Sequence, residues 1–145
     1  MAMHYDNIKV GLGLILLKDD KVLLAQRKRA DNGRGEYGGP GGTLEPGEGL
    51  ENSILRELAE ECGPDVSVKN LRMICAINYR SGQTPTHWVG IGFCGDYAGG
   101  EIRLMEPDIH GAWGWHSLED LPNPMYWPIA RYIEAYKTGQ NLFEL

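Results

Sequence analysis

Residues 29–62 constrain the fold more than any other stretch of the chain. The segment "RADNGRGEYGGPGGTLEPGEG" is too dense in glycine and proline for regular structure and reads as a loop over 29–49. It runs directly into a stretch in which Leu50, Ile54, Leu55, Leu58, Ala59 and Cys62 recur at helical spacing, until Gly63-Pro64 stops the pattern. The spacing predicts an amphipathic helix over 50–62. Within it, "RELAEECG" crowds Glu57, Glu60 and Glu61 together. Residues three and four apart share a helix face. At about 100° per residue that face lies beside the apolar one, so the acids are expected side by side at the rim of the core, facing a cleft.

Crowded carboxylates repel one another unless a cation sits among them. They are the ligands that hard divalent cations prefer, and Mg2+ is usually shared between a few carboxylates, waters and substrate phosphates. The plainer alternative is a solvated acidic helix face. The preceding glycines weigh against it, because they let the main chain approach a ligand closely and offer carbonyl oxygens. Glu48 and Arg56 are placed to form an ion pair that braces loop against helix.

Around this unit, "KVGLGLILLKDDKVLLAQRK" predicts a β-hairpin turning at Lys18-Asp19-Asp20-Lys21, its second strand ending in Arg27 and Lys28. "VSVKNLRMICAINYR" and "HWVGIGFCGDY" read as strands, the latter with Val89, Ile91 and Phe93 on one face. "EIR" after Gly99-Gly100 is expected to complete a hairpin, "AWGWHSLEDLP" to give a last strand and turn, and "YWPIARYIEAYKTG" a C-terminal helix stopping near Gly139. This mixture predicts an α/β fold, a mixed sheet covered by helices. A chain of 145 residues suits one domain over 1–145.

A net charge of -6 argues against a nucleic-acid polymer or an anionic membrane as partner, since both need a basic face. An anionic substrate would need a cation as intermediary. No segment approaches the length of a membrane span, and the start lacks a charged region followed by an apolar run. Cys62, Cys75 and Cys94 are odd in number and widely spaced, which indicates neither a disulfide framework nor structural zinc. A cytoplasmic protein is expected.

Residues 42–63 read Gly42, five residues, Glu48, seven residues, then "RELAEECG", and this resembles the complete signature of the Nudix hydrolase family. The aliphatic residue usual after the last glycine is replaced by Pro64, a change expected to affect only the helix exit. The flanks "GLILLKDDKVLLAQRK", "EYGGPGG", "HWVGIGF" and "EPDIHGAWGWHSLEDLP" resemble MutT-like members, especially those acting on nucleoside triphosphates. Tyr37 stands where tryptophan is common and Gly39 replaces a larger apolar residue, so the pocket wall near the loop is expected to differ.

The resemblance implies the Nudix fold, an α/β/α sandwich with a mixed central sheet. It also implies that Glu57, Glu60 and Glu61, with the carbonyl of Gly42, hold Mg2+ or Mn2+. Glu57 is the first choice of general base, Glu60 and Glu61 are metal ligands, and Arg56 supports the catalytic helix. Glu106, before Pro107, is a candidate outside the motif for either role. The implied activity is hydrolysis of a nucleoside triphosphate, canonical or modified, to monophosphate and pyrophosphate. The alternatives are hydrolysis of dinucleoside polyphosphates, ADP-ribose or nucleotide sugars, or a module that binds a nucleotide without cleaving it. A homodimer is implied by the resemblance alone.

Three residues are candidates for touching substrate: Arg27 at a strand end for a phosphate, Tyr37 in the glycine loop, and His87 beside Trp88 at the start of a strand. The ordinary solvated strand end is the alternative for Arg27 and His87. Trp113 and Trp115 alternate, so at least one is expected in the core while the other is open to base stacking. Tyr79 is a weak pointer to dinucleoside polyphosphates. His4, His110 and His116 have no companions at metal spacing and receive no chemistry, and Gly11-Leu12-Gly13 within a strand is a poor nucleotide fingerprint.

Overall fold

The structure is a computed structural model that describes residues 4–5, 7–29 and 32–145. Strands β1 (Ile8–Lys18) and β2 (Lys21–Gln26) form the expected hairpin, with Lys18 paired to Lys21 across a turn in which Asp19 takes a φ of 56°. Short polar side chains tolerate that left-handed conformation. The second strand ends at Gln26, earlier than expected, and Arg27 continues it only as an isolated bridge to His110.

The glycine segment is not all loop. It contains β3 (Tyr37–Gly38) and β4 (Gly41–Thr43), strands too short and too glycine-rich to show a period of two. Helix α1 (Leu50–Cys62) follows as predicted, then β5 (Val68–Arg80), β6 (His87–Tyr97), β7 (Gly114–Ser117), helix α2 (Trp127–Thr138) and β8 (Leu142–Glu144).

The sheet runs β3-β2-β1-β6-β5-β8, with β4 added to β1 and β7 to β2. It is mixed, because β1 pairs parallel with β6 and β5 parallel with β8 while the other pairs are antiparallel. Alternation along the central strands divides the core into two layers. Leu12, Leu14 and Leu16 of β1, with Ile91 and Phe93 of β6, pack under Ile54, Leu58 and Cys62 of α1. Ile15 and Leu17 of β1, with Cys75 and Ile77 of β5, pack under Ile129, Tyr132 and Ile133 of α2. The result is the expected α/β/α sandwich.

Two local expectations are corrected. Leu50 and Leu55 are exposed, and α1 buries Ser53 and Glu61 beside Ile54, Leu58 and Cys62 instead. The buried stripe therefore carries a carboxylate in the middle of an apolar layer. Residues 101–103 form no strand, because their backbone is engaged at the end of α1. The Arg103 N–H donates to the Cys62 carbonyl at 2.8 Å, and the Arg103 guanidinium pairs with Asp65 at 2.9 Å. This is how the chain leaves a helix followed by Pro64, with Gly63 at a φ of 109° and its N–H on the Ala59 carbonyl. Among the described residues, no helix is long and apolar enough to cross a membrane. All three cysteines are buried and free.

Candidate active site

The glycine segment is pressed between the sheet and α1. Strand β4 lies along the middle of β1, with Thr43, Gly42 and Gly41 opposite Gly11, Leu12 and Gly13. A Cβ on Gly41 would stand 2.3 Å from the Leu12 carbonyl oxygen, and one on Gly42 would stand 2.2 Å from the Glu57 carboxylate. Gly41 therefore requires glycine for lack of space against backbone, and any larger residue at Gly42 would push the Glu57 carboxylate out of its place. At Gly39, which replaces a larger apolar residue, a Cβ would stand 2.9 Å from the Leu14 carbonyl oxygen and 3.0 Å from the Ile129 side chain.

Three glutamates of α1, Glu57, Glu60 and Glu61, line one cleft but occupy three environments. Glu60 is half exposed and reaches Arg56 one turn back, at 3.2 Å. Glu57 is largely enclosed, lies beneath Gly42 and pairs with Arg56 at 3.0 Å. Burial, reinforced by the charge of Glu61 and opposed by Arg56, pushes the Glu57 carboxyl up to about 7. Glu61 is buried: one oxygen accepts the Gly41 N–H at 2.9 Å and the other lies 3.0 Å from His110 Nε2.

Arg56 ties these parts together. Its Nε meets Glu48 at 2.5 Å and a second nitrogen meets the other Glu48 oxygen at 3.0 Å, forming the expected brace in bidentate form. The same guanidinium donates to the Thr43 carbonyl at 3.4 Å. Arg56 holds the Glu48 carboxyl down at about 2, and Glu48 in turn raises the arginine further above its already high range. The cation needed to offset the crowded acids is thus partly supplied by the chain itself.

Glu106 and His110 come from the far side of the sequence. The turn 106–110 is closed by the Ile109 and His110 N–H groups, each donating to the Glu106 carbonyl at 3.0 Å. It is held to the β2 end by the bridge between Arg27 and His110. Ligand atoms of Glu61, Glu106 and His110 lie within 4.8 Å of one another. His110 is 6 % exposed, and its Nδ1 has no hydrogen-bond partner among the described residues. Trp113 packs on the imidazole and donates its Nε1–H to the Glu61 carbonyl at 3.0 Å. Two carboxylates and a ring nitrogen so close together fit a divalent cation.

These groups form one wall of a cleft of about 990 Å³. A second part of the lining is aromatic, built from Tyr79 of β5, Trp88 of β6, Tyr126 and the α2 residues Trp127 and Tyr132. Its floor is a trough of glycines. Gly11 pairs with Gly90 and Gly13 with Gly92; a Cβ on Gly13 or Gly92 would meet the Tyr132 ring at 2.3 or 2.6 Å, and one on Gly90 its hydroxyl at 2.7 Å. Arg27 also lines the cleft, its guanidinium stacked 3.9 Å above the Tyr126 ring.

Tyr37 and His87, named from sequence as substrate contacts, are not among the described residues that line the cleft. Tyr37 packs edge-on against His116 and the α2-side core. His87 bonds Asn78 at 2.6 Å and borders a separate small hollow. Trp113 and Trp115 both pack against the α1-side core, so neither is free for stacking in the cleft. Sequence reasoning missed His110, Tyr126, Trp127 and Tyr132. The period-two glycines of β1 and β6 are a readable signal that something large presses on two neighbouring strands.

A protein-family model described as NUDIX domain matches residues 8–136. A chain named NAD-capped RNA hydrolase NudC, from Pseudomonas fluorescens, is 36% identical over 132 residues, covering 89% of this chain and 44% of the relative. The present chain thus spans less than half the length of that relative. Among solved structures, a MutT NUDIX hydrolase from Burkholderia pseudomallei superposes with a TM-score of 0.81 at 32% identity, covering 90% of this chain and 98% of its own. A mutator MutT protein from Bacillus halodurans superposes with a TM-score of 0.69 at 25% identity, covering 94% and 86%.

Proposed function

We propose that this chain, which belongs to the Nudix hydrolase family, cleaves a nucleoside triphosphate, canonical or modified, to the monophosphate and pyrophosphate with Mg2+ or Mn2+. The observation that carries this reading is the cleft itself, whose walls suit the two halves of a nucleotide. Carboxylates, with an arginine near the mouth, suit a polyphosphate held through a cation. Five aromatic rings and a glycine floor suit a planar base.

A divalent ion supplies neutralisation of the polyphosphate and a lowered pKa for the attacking water. Glu57, Glu60, Glu61 and Glu106, with the carbonyl of Gly42, are the residues that would hold it. Glu57 is the general base of this reading: its enclosed carboxyl lies beneath Gly42 on the cleft and is held by Arg56, within reach of a water bound there. Arg56 is a positioning residue that fixes Glu57 and Glu60 relative to β4. Arg27 is placed to meet a phosphate oxygen while stacked on Tyr126. Tyr37 and His87 have no part in this reading.

A second reading is favoured by the relatives named for NAD-capped RNA: the same site would open the pyrophosphate of a dinucleotide. The net charge of -6 speaks against a polymer as substrate. The free buried cysteines support a reducing compartment, and the proposal places the enzyme in the cytoplasm as one domain. A homodimer belongs to the proposal through family likeness.

A substrate panel with Mg2+ and with Mn2+, products resolved by chromatography, tests it. Monophosphate and pyrophosphate from triphosphates are expected. Faster turnover of NAD, ADP-ribose or a dinucleoside tetraphosphate would replace the substrate, and tight binding without turnover would replace the enzyme by a nucleotide-binding module.

A further inference from the structure

We propose that His110 supplies a nitrogen ligand to the metal site, forming with Glu61 and Glu106 a seat that takes Mn2+ or a similar transition ion in preference to Mg2+. This rests on the metal-dependent reading above. His110 lies outside the sequence motif that carries the family's acids, and three observations point to it.

The first is distance. His110 Nε2 and Glu61 Oε2 are 3.0 Å apart, and adjacent ligands of an octahedral ion at about 2.1 Å are also separated by about 3.0 Å. The pair already has the spacing of two neighbouring corners. The second is the third member. A hydrogen bond that merely oriented Glu61 would not need Glu106, yet its carboxylate falls within the same 4.8 Å. Two carboxylates so close repel unless a positive charge joins them. The third is the ring itself. It is almost fully buried and pressed against Trp113, which fixes its plane with Nε2 on the Glu61 carboxylate. A ring held in that way presents Nε2 to an ion without further ordering of the side chain.

The nature of the ligand decides which ion benefits. Mg2+ takes oxygen ligands and keeps its waters, whereas imidazole suits the transition ions, Zn2+ and Co2+ more strongly than Mn2+. One nitrogen among carboxylates therefore shifts preference toward the transition ion without closing the site to Mg2+.

The test uses metal-free full chain titrated with Mn2+ and followed by pulsed electron paramagnetic resonance. Wild type is expected to show the 14N modulation of a directly bound imidazole, and His110→Gln to lose it. The ratio of Mg2+ to Mn2+ dissociation constants is expected to fall about tenfold or more in that variant. Should His110→Gln fail to fold, a chain carrying His4→Gln, His87→Gln and His116→Gln leaves His110 as the one remaining histidine and is expected to keep the signal. Bound Mn2+ without 14N coupling, or coupling that survives His110→Gln, overturns the proposal and leaves the proposed function standing. Absence of any Mn2+ binding overturns both.

Discussion

The two walls of the cleft are built on opposite plans. The charged wall draws most of its parts from one contiguous segment, Gly41 to Glu61, in which loop, strand and helix are sequence neighbours joined by Arg56. The aromatic wall collects Tyr79, Trp88, Tyr126, Trp127 and Tyr132 from three separate elements and seats the last on glycines of two strands. The first wall is held by charge-assisted hydrogen bonds with little tolerance in distance. The second is held by packing, where a change of shape is absorbed by neighbours. The chemistry should therefore reside in one wall and substrate preference in the other.

The largest expected effect is on the charged wall. Glu57→Gln should lower kcat by about a thousandfold, measured with saturating triphosphate, because it removes the proposed base while keeping the side-chain size. A loss below tenfold would move that role to another carboxylate. Next comes Gly42→Ala, whose methyl would overlap the Glu57 carboxylate; about a hundredfold loss of kcat is expected, with a visible drop in melting temperature. Arg56→Ala and Glu48→Gln should each cost about tenfold in kcat. If they act as one brace, the double variant will lose little more than either single one, and a double-mutant cycle reads this directly.

The aromatic wall should answer differently. Trp88→Ala is expected to raise KM for the triphosphate about tenfold, the worth of one stacked base, with kcat nearly unchanged. An equal fall in kcat would erase the distinction between the walls.

The smallest effect concerns the metal-free protein. The folded Glu57 carboxyl titrates near 7 and its unfolded counterpart near 4.5, so the folded state holds the extra proton between those values. Its contribution to stability is fully present below pH 4.5 and is lost as pH rises through 7. Melting curves in chelator should fall by a few degrees from pH 5 to pH 8 because of this group, and the slope should flatten in Glu57→Gln. Glu48 acts in the opposite sense: its low folded value makes its contribution present above pH 4.5 and lost as pH falls toward 2.

What was legible in the sequence follows the same division. Helix α1 was readable to its end residues, and so was the Glu48–Arg56 pair, because spacing along one helix determines both. Strand β6 was likewise readable from alternation. The burial of Glu61 was not, since helical periodicity classes a glutamate as polar and only the meeting with Gly41 and His110 makes its burial tolerable. His110 itself was passed over because metal spacing was sought along the chain among Cys and His, while Glu106 lies in its own turn and Glu61 forty-nine residues away, a separation closed only by the fold. The strands β3, β4 and β8 span two or three residues, too few to show a period. Tyr37 and His87 were placed by analogy of position, and the direction of a single side chain at a strand end is decided by packing that no local pattern records.

The seating of β4 on the middle of β1 has a further consequence for how the molecule comes apart. Gly41 is hydrogen-bonded to a carboxylate on α1 while its strand is paired to a central strand of the sheet. Peeling the helix away therefore leaves the Gly41 N–H without its acceptor, and lifting the loop unpairs the sheet's interior. Amide exchange in β4 should then proceed with the slow, cooperative class rather than with the turns around it, although glycine-rich connections commonly exchange early. Proteases would find the segment resistant despite its composition, and the enzyme would lose its site and its fold in a single event.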